Sequence, residues 1–233
     1  MLTLYGLGPS KFPQHLGCSS HTRKIMFALN YKKLPFKLID LSADAIMPTA
    51  KSVGAAPTST HPDGSPKYTV PFLHDSDKNK TVSDSFAIAE YLDEAYPDTP
   101  RLFAEGTKKA QNELISAREA AFGVTFPITF PKATTLWSDE MREFVRKRGA
   151  PVEITLSPEA QEEVWAKAKK AFEDVERQHK ESSGDVDYVF ADLALAASAW
   201  TNRYAFGEES KEWKNMESWV GGKLKKVTDA VVR

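Results

Sequence analysis

The pattern of hydrophobic residues changes at one stretch of this chain, Tyr96-Pro97-Asp98-Thr99-Pro100. Before it, short runs of strand-type alternation are interleaved with helical periodicity. After it, strand alternation is almost absent and helical periodicity continues. Because the two prolines interrupt both patterns, we predict an α/β domain of residues 1–96, a linker of residues 97–104 and an all-α domain of residues 105–233.

Composition limits the function classes that need considering. The 233 residues are 41% hydrophobic and 27% charged, with a net charge of −1, which is typical of a globular protein and gives no reason to expect nucleic acid or an anionic membrane as partner. No secretory signal or membrane span is visible. The single cysteine, Cys18, excludes an internal disulfide, so we expect a reducing, cytoplasmic setting and no metal site.

The first domain begins with a strand, a helix and a second strand. Leu2–Tyr5 alternates at period 2, the loop Gly6–Gly17 is rich in glycine and proline, Thr22–Lys32 has one apolar helical face, and Phe36–Asp40 is again strand-like. This order favours a parallel pair of strands joined by a right-handed crossover.

The rest of the first domain completes a small α/β sandwich. A short helix is predicted at Ala43–Ser52 and a turn at Asp63-Gly64. Val70–Asp75 and Thr81-Val82 are predicted to be strands, and Ser83–Ala95 carries a continuous apolar stripe that predicts a strong helix. The complete order is β-α-β-α-β-β-α.

The second domain is predicted to consist of helices separated by proline-containing or glycine-containing breaks. The predicted helices are Thr107–Phe122, Ser138–Lys147, Pro158–Glu181, Ala191–Phe206 and Lys211–Val231. The first break contains Pro127 and Pro131, with Phe126 and Phe130 beside them. Aromatic residues next to prolines in a loop favour an apolar pocket over helix packing.

Three local features of the first domain suggest a binding site, and each has a simpler alternative. Proline in Val70-Pro71 cannot donate to a sheet. A cis bond would turn the Val70 backbone outward, so that its N–H and C=O could pair with an extended peptide. A trans proline at a strand start is the alternative.

The second feature is Asp84-Ser85 at a helix start. Free N–H groups and the Ser85 hydroxyl would bind a carboxylate, and Asp84 would accept from an ammonium group. Ordinary capping of the helix is the alternative. The third feature is the run from Cys18 to Lys24 before the first helix, where a serine hydroxyl could stabilise a ligand's thiolate and lower its pKa. Here too, a serine N-cap is the alternative.

Together these features resemble the glutathione transferase superfamily, and most closely its etherase-like members, which include bacterial β-etherases and the fungal FuA class. The run from Ile88 to Asp98, with Leu102-Phe103, is similar to their third helix and linker. The resemblance covers residues 1–105 and is weak beyond them, where it rests on helix order and Ala191-Asp192. It implies a thioredoxin-like domain followed by a helical bundle.

The resemblance also implies a role for each site residue in binding glutathione. Ser19 takes the catalytic place, and Ser20 is the alternative because the long preceding loop makes the register uncertain. The γ-glutamyl end would be held by Asp84 and Ser85, and the glycine carboxylate by Lys51 or His61. The cysteinyl backbone would pair with Val70, with cis-Pro71 behind it, and Thr69 is a further binding residue of the same segment.

An aromatic acceptor substrate would lie between the domains in this superfamily. The candidate aromatic side chains are Phe122, Phe126, Phe130, Trp137, Tyr204 and Phe206. The predicted function is a glutathione transferase that acts on aromatic electrophiles or aryl ethers such as lignin-derived or polyphenolic compounds. The alternatives are a ligandin that binds polyphenols without turnover and a thiol reductase that uses Cys18. The resemblance also implies a homodimer.

Two positions depart from the superfamily pattern. Where its members place Ser or Thr three residues before a buried aspartate, this chain has Val189 before Asp192, so half of a capping box is missing. Cys18 lies one residue before the catalytic place, which is why the reductase remains only an alternative.

Overall fold

The computed structural model describes residues 1–8, 10, 19–150, 152–183 and 188–231. The chain forms two compact units. The first consists of Met1–Leu102 together with Trp137–Met141, and the second of Phe103–Leu136 with Arg142–Arg233. The division therefore falls inside the predicted linker, while one short segment expected in the second domain belongs to the first unit.

Strands and helices of the first unit follow the predicted order, with one added hairpin. The elements are β1 (Leu2–Leu7), α1 (Ser20–Tyr31), β2 (Phe36–Leu41), α2 (Ile46–Ser52), β3 (Ser59–Thr60), β4 (Pro66–Lys67), β5 (Phe72–Asp75), β6 (Lys80–Ser83) and α3 (Ser85–Ala95).

A four-stranded mixed sheet organises this unit, in the order β2-β1-β5-β6. Strand β1 runs parallel to β2, with Leu2 opposite Phe36, as the strand–helix–strand pattern predicts. Strand β5 is antiparallel to both β1 and β6. The end of β1, the beginning of β5 and the end of β6 therefore lie side by side at one edge of the sheet.

Helices α1 and α3 contact each other through their apolar faces. Ile25 and Leu29 of α1 and Ile88 and Leu92 of α3 are fully buried, which confirms the two amphipathic helices predicted from the sequence. Each such side chain contributes about 1.5–3 kcal/mol when it is removed from water.

The hairpin β3–β4 is absent from the predicted order, although its turn was predicted. Asp63 Oδ1 accepts hydrogen bonds from the Ser65 backbone N–H at 2.9 Å and from the Ser65 hydroxyl at 2.6 Å. Gly64 has φ 82°, which glycine adopts without steric cost. Strands of two residues are too short to show alternation, and for this reason the pattern missed them.

The described part of the second unit is helical. Its elements are α4 (Lys108–Gly123), α5 (Phe126–Thr134), α6 (Asp139–Arg146, which begins in the first unit), α7 (Pro158–Ser183), α8 (Val189–Phe206), α9 (Lys211–Glu217) and α10 (Trp219–Val231).

The predicted break at Pro127 and Pro131 is wrong, because both prolines lie within helix α5. Pro127 is in the first turn, where its missing N–H has no partner to lose. Pro131 gives up one bond of the helix, and its own carbonyl accepts from the Thr134 hydroxyl at 2.8 Å. The aromatic residues beside these prolines therefore lie on a helix and not in a loop.

The predicted single helix Lys211–Val231 is also wrong, since it is divided into α9 and α10. Just inside α10, Val220, Gly221 and Gly222 have φ of 51°, 63° and 83°. The glycine pair is the signal that could have shown the break, because glycine enters the left-handed region readily.

The beginning of α8 is capped by a side chain from α4. Tyr188 at the N-cap position makes no side-chain hydrogen bond to the helix. Instead Gln111, which is fully buried, accepts from the Ala191 N–H with its Oε1 at 3.0 Å. Its Nε2 donates to the Thr107 hydroxyl at 3.0 Å. A glutamine distant in sequence therefore provides the hydrogen-bond acceptor that a Ser or Thr would provide in a complete capping box.

Asp192, the aspartate of the incomplete capping box, pairs with charged side chains. Arg118 donates to Asp192 Oδ1 at 3.0 Å and binds both oxygens of Glu176, at 2.6 and 3.1 Å. Burial favours the neutral form of Glu176, but the hydrogen bond and charge of Arg118 outweigh it and lower its pKa. Lys223 adds a second cation, 2.9 Å from Glu176.

Candidate functional site

The candidate residues of the first unit meet at the edge of the sheet where β1 ends. In the sheet register Tyr5 faces Phe72 at the beginning of β5, and Phe72 faces Ser83 at the end of β6. Val70-Pro71 directly precedes Phe72, and Asp84 directly follows Ser83. The register alone therefore brings these two sequence features together.

Helix α1 begins at the same edge, because a crossover helix starts where the preceding strand ends. Its first turn packs directly on β1: a Cβ atom added to Gly6 would lie 2.8 Å from Thr22 Cγ2. Ser19 is the N-cap residue, and its carbonyl accepts from the Arg23 N–H at 3.1 Å.

The Ser19 hydroxyl makes no capping bond to α1. Ordinary N-capping, the simpler alternative, therefore does not use this side chain, and within the described part of the chain no hydrogen bond occupies its donor. Ser20 is the first helical residue and is half-buried. Cys18 lies outside the described residues.

The Val70–Pro71 peptide bond is cis, the form that the resemblance implies. Val70 belongs to no strand, and within the described part of the chain neither its N–H nor its C=O takes part in a backbone hydrogen bond. Thr69 is held by a 2.8 Å hydrogen bond between its hydroxyl and that of Thr58. The backbone of Val70 can therefore pair with an extended ligand.

Asp84 caps α3, as the simpler alternative held, but only one of its oxygens is used. Oδ1 accepts from the N–H groups of Phe86 at 2.8 Å and Ala87 at 3.2 Å. The residue is exposed, so Oδ2 remains available to a cation. Its φ is 78° and its ψ 134°, a region that non-glycine residues rarely adopt and that is common at functional sites.

Two further hydroxyl groups lie beside Asp84. Ser85 is the first residue of α3 and only 7% exposed, and its hydroxyl makes no hydrogen bond within the described residues. The Ser83 hydroxyl is buried and likewise has no partner there. A buried polar group without a partner costs stability, so both hydroxyls are suited to a ligand. Sequence reasoning did not single out Ser83.

Lys51 and His61, the two candidates for a second carboxylate, lie in different surroundings. The Lys51 ammonium is 5.7 Å from the centre of the Tyr68 ring, and Tyr68 is two residues before Val70. His61 lies at the turn of the β3–β4 hairpin, where its backbone N–H donates to Ser65 at 2.8 Å.

Thr81, which the sequence did not single out, connects the sheet to α2. Its hydroxyl donates to the carbonyl of Val53, just after α2, at 2.5 Å. The ring of His74 is 2.9 Å from the same hydroxyl. This pair of contacts fixes the end of the helix that carries Lys51.

The aromatic candidates lie on helices α4, α5 and α8 of the second unit, except Trp137, which belongs to the first unit. Phe122 packs edge-on against the buried Phe172 at 5.3 Å and belongs to the edge of the core. Trp137 forms an isolated bridge with Ser10 in the first unit. Phe126 is 43% exposed and stacks on Phe130 with ring centres 4.4 Å apart. Tyr204 is 39% exposed and stacks on Trp200. Phe206 contacts Trp165.

The chemistry of the edge is that of a peptide-like ligand site. Backbone groups at Val70 suit an extended chain, the start of α3 with Ser85 suits a carboxylate, and Asp84 Oδ2 suits an ammonium group. Within the described residues, no cluster of three or more histidine, cysteine or carboxylate side chains could hold a metal. No helix in that part of the chain is long and apolar enough to cross a membrane.

Two family models match the chain. Residues 18–95 match the model of the glutathione S-transferase N-terminal domain, and residues 113–232 match that of the glutathione S-transferase C-terminal domain. The glutathione S-transferase-like protein ustS of Aspergillus flavus is 35% identical over 160 residues. The match covers 64% of this chain and 56% of that protein, so the chain spans little more than half the length of this relative.

Solved structures resemble the whole chain. A glutathione S-transferase of Ceriporiopsis subvermispora, solved in complex with glutathione, has a TM-score of 0.87 and 29% identity. Glutathione transferase GSTFuA3 from Phanerochaete chrysosporium has a TM-score of 0.85 and 28% identity. Each match covers 99% of this chain and 96% of the other. The predicted fold, a thioredoxin-like domain followed by a helical bundle, is confirmed.

Proposed function

This chain belongs to the glutathione S-transferase family, and from that premise we propose that it is a glutathione transferase of the serine type. Glutathione lies along the edge of the sheet where β1 ends, and its sulfur is directed at an aromatic electrophile or aryl ether. The observation that carries the proposal is the set of open polar groups at this edge: the hydroxyls of Ser19 and Ser85, the Val70 backbone and Asp84 Oδ2.

The γ-glutamyl end of glutathione bears an ammonium and a carboxylate on one carbon. In the proposal, Asp84 Oδ2 accepts from the ammonium while Oδ1 continues to cap α3. The carboxylate accepts from the Ser85 hydroxyl and from N–H groups at the start of α3, where the helix dipole favours a negative charge. The ammonium and the carboxylate of the γ-glutamyl end thus match the neighbouring residues Asp84 and Ser85.

The cysteinyl residue of glutathione pairs with Val70 in the manner of an added strand. We assign the glycine carboxylate to Lys51 over His61, because Lys51 lies above Tyr68 in the segment that leads to Val70. An exposed ion pair of this type contributes about 0.2–1 kcal/mol, so Lys51 assists binding and does not dominate it.

Glutathione supplies the sulfur nucleophile. Ser19, at the positive end of α1, donates its hydroxyl hydrogen to that sulfur, and Ser20 is the alternative donor. A hydrogen bond to the anion and the helix dipole both favour the ionised form, which lowers the thiol pKa so that its proton passes to water near neutral pH. The new carbon–sulfur bond replaces the bond to the leaving group, which departs with the electron pair.

For the acceptor, we propose a lignin-derived or polyphenolic aromatic compound, on the resemblance to etherase-like transferases. The stacked pair Phe126 and Phe130 and the stacked pair Trp200 and Tyr204 expose aromatic surface, which suits such a compound better than Phe122 at the edge of the core. The homodimer and the cytoplasmic location stay predictions, and measurement of mass in solution tests the first.

The test compares Ser19→Ala with Ser20→Ala on an aryl halide and an aryl ether. Loss of a preorganised donor to an anion lowers kcat by roughly 100-fold or more, so we expect this loss for Ser19→Ala, a raised pKa of the bound thiol by thiolate absorbance, and nearly unchanged glutathione binding by calorimetry. Ser20→Ala tests the alternative donor: loss of turnover in this variant, with Ser19→Ala unaffected, would assign the hydrogen bond to Ser20.

Other outcomes would contradict the serine enzyme in distinct ways. Turnover that survives Ser19→Ala and Ser20→Ala but is lost in Cys18→Ser would establish a thiol reductase. Tight binding of phenolics by the wild type without turnover on either substrate would establish a ligandin. Absence of any heat or thermal shift with glutathione would remove the basis of all three readings.

A further inference from the structure

A cavity in the second unit involves none of the residues proposed to bind glutathione. Its volume is about 400 Å³, within the range of small-molecule sites. It lies between the first half of α7 and helix α9. Its lining includes the side chains of Gln161, Glu162, Trp165, Lys169, Lys211 and Asn215.

Trp165 forms the aromatic part of this cavity and is held firmly. Its ring is half-buried and contacts the rings of Trp219 at 6.1 Å and Phe206 at 6.4 Å, both nearly edge-on. Trp219 itself is fully buried. Within the described residues the indole N–H of Trp165 makes no hydrogen bond, so both a ring surface and a donor are available to a ligand.

Opposite charges lie on either side of this ring along α7. Glu162, Trp165 and Lys169 follow each other at spacings of three and four residues and share one helix face. The Cα atoms of Glu162 and Lys169 are therefore about 10 Å apart along the helix axis, with Trp165 between them. Among the described residues, Lys169 has only a 3.8 Å contact with the half-exposed Glu173, a pair that holds it weakly.

Helix α9 contributes further polar groups. Lys211 and Glu212 form no ion pair with another described residue. Asn215 uses its oxygen to accept from the Trp219 indole at 3.4 Å, and among the described residues its N–H groups have no acceptor, so they can donate to a ligand. Gln161 donates to the carbonyl of Leu156 at 3.1 Å, and no described residue donates to its side-chain oxygen, which can therefore accept from a ligand. The lining thus offers two ammonium groups and two carboxylates.

We propose that this cavity binds a small aromatic acid that bears a hydroxyl group at the opposite end of its ring, such as 4-hydroxycinnamate. The ring lies against Trp165, and the ligand carboxylate binds the ammonium groups of Lys169 and Lys211. The ligand hydroxyl donates to Glu162. A ligand with its charge at one end and a neutral donor at the other matches the separation of lysine and glutamate along α7.

The test is calorimetric titration of the full chain, saturated with glutathione, with 4-hydroxycinnamate, with cinnamate and with 4-hydroxyphenethylamine. We expect 4-hydroxycinnamate to bind most tightly, cinnamate more weakly because it has no donor for Glu162, and the amine most weakly because the lysines repel it. We expect the double variant Lys169→Glu/Lys211→Glu to bind 4-hydroxycinnamate about tenfold more weakly.

Matched controls are available on the same helix. Lys167→Glu and Glu163→Gln change exposed residues outside the cavity lining, and we expect the wild-type affinity for both, whereas Glu162→Gln removes the preference for the hydroxyl. The proposal is overturned if no ligand binds, if the amine binds more tightly than the acid, or if the double variant and Lys167→Glu bind equally. Glutathione affinity should be equal in all variants, so failure here leaves the proposed transferase function untouched.

Discussion

Replacing Gln111 by methionine keeps the size of a fully buried side chain and removes the group that caps α8. In the wild type the Gln111 oxygen accepts from the Ala191 N–H at 3.0 Å. Ala191 is the third residue of the helix, and its N–H is one of those that the helix itself cannot satisfy. Since Ala191 is also fully buried, water cannot replace the lost acceptor without a rearrangement.

The expected loss in free energy of unfolding depends on which polar groups of the protein are left without a partner. An orphaned buried N–H costs about 1–3 kcal/mol. Loss of the bond to Thr107 costs little, because the Thr107 hydroxyl keeps its donation to the carbonyl of Ala104 at 2.8 Å. Burial of an apolar side chain in place of an amide offsets part of the penalty. We expect a net loss of about 1–2 kcal/mol, or roughly 2–8 °C in Tm for a chain of this size.

Urea unfolding followed by circular dichroism measures the difference in free energy of unfolding, and an unchanged m value shows that the folded state is as compact as before. Gln178→Met on the exposed face of α7 is the matched control, with an expected change of less than about 0.5 kcal/mol. Hydrogen exchange at Ala191 adds a local measurement, since the variant amide should exchange faster.

Equal stabilities of the Gln111 and Gln178 variants, together with unchanged protection of the Ala191 amide, would refute the reasoning. It would mean that the first turn of α8 obtains its stability elsewhere, for example from the pairing of Arg118 with Asp192. A fall in stability with unchanged protection at Ala191 would also contradict it, because the loss would then come from packing and not from the cap.

Two shorter predictions concern the first unit. Gly6→Ala would bring a methyl group to 2.8 Å from Thr22, so we expect a loss of about 1–3 kcal/mol in unfolding experiments and weaker glutathione binding by calorimetry; unchanged affinity would show that the first turn of α1 does not contact the ligand. Burial favours the neutral form of Asp75, but hydrogen bonds from Tyr96 and Tyr91 outweigh it and hold its pKa below the usual 3.8. Its stabilisation is therefore present above about pH 3.8 and lost below it, and the urea midpoint of Tyr91→Phe should depend less steeply on acid than that of the wild type.

Long elements with strong periodicity were predictable from the sequence. The buried faces of α1 and α3 follow from helical patterns of more than ten residues, and the parallel pair β1–β2 follows from the strand-like runs Leu2–Tyr5 and Phe36–Asp40 on either side of the first helix. The hairpin β3–β4 was not predictable, because strands of two residues carry no period. Helix α5 was missed because a proline normally argues against a helix, although one in the first turn costs almost nothing.

Contacts between residues distant in sequence were beyond the reach of pattern reasoning. Val189 showed correctly that a capping residue is missing, but nothing local indicates that Gln111, 80 residues before Ala191, takes its place. The same holds for Thr81, whose link to Val53 appears only when the sheet has formed. The candidate site could be predicted, unlike these contacts. Val70, Asp84 and Ser85 each lie next to a strand or helix end that the sequence does locate.

Asp84 can cap helix α3 and bind a ligand at the same time. The sequence set helix capping against ligand binding, yet the geometry allows both, because Oδ1 alone accepts the two N–H groups of α3 and leaves Oδ2 open. The cap also holds the residue at a φ of 78°, which costs of order 1–3 kcal/mol for a side chain of this type. A carboxylate that is already held in place loses less conformational entropy when it binds an ammonium group, and it therefore binds the group more tightly than a mobile carboxylate does. Capping is therefore the condition that makes Asp84 an effective ligand, and a variant that keeps the cap but lacks the second oxygen, Asp84→Asn, should fold normally and lose affinity for glutathione.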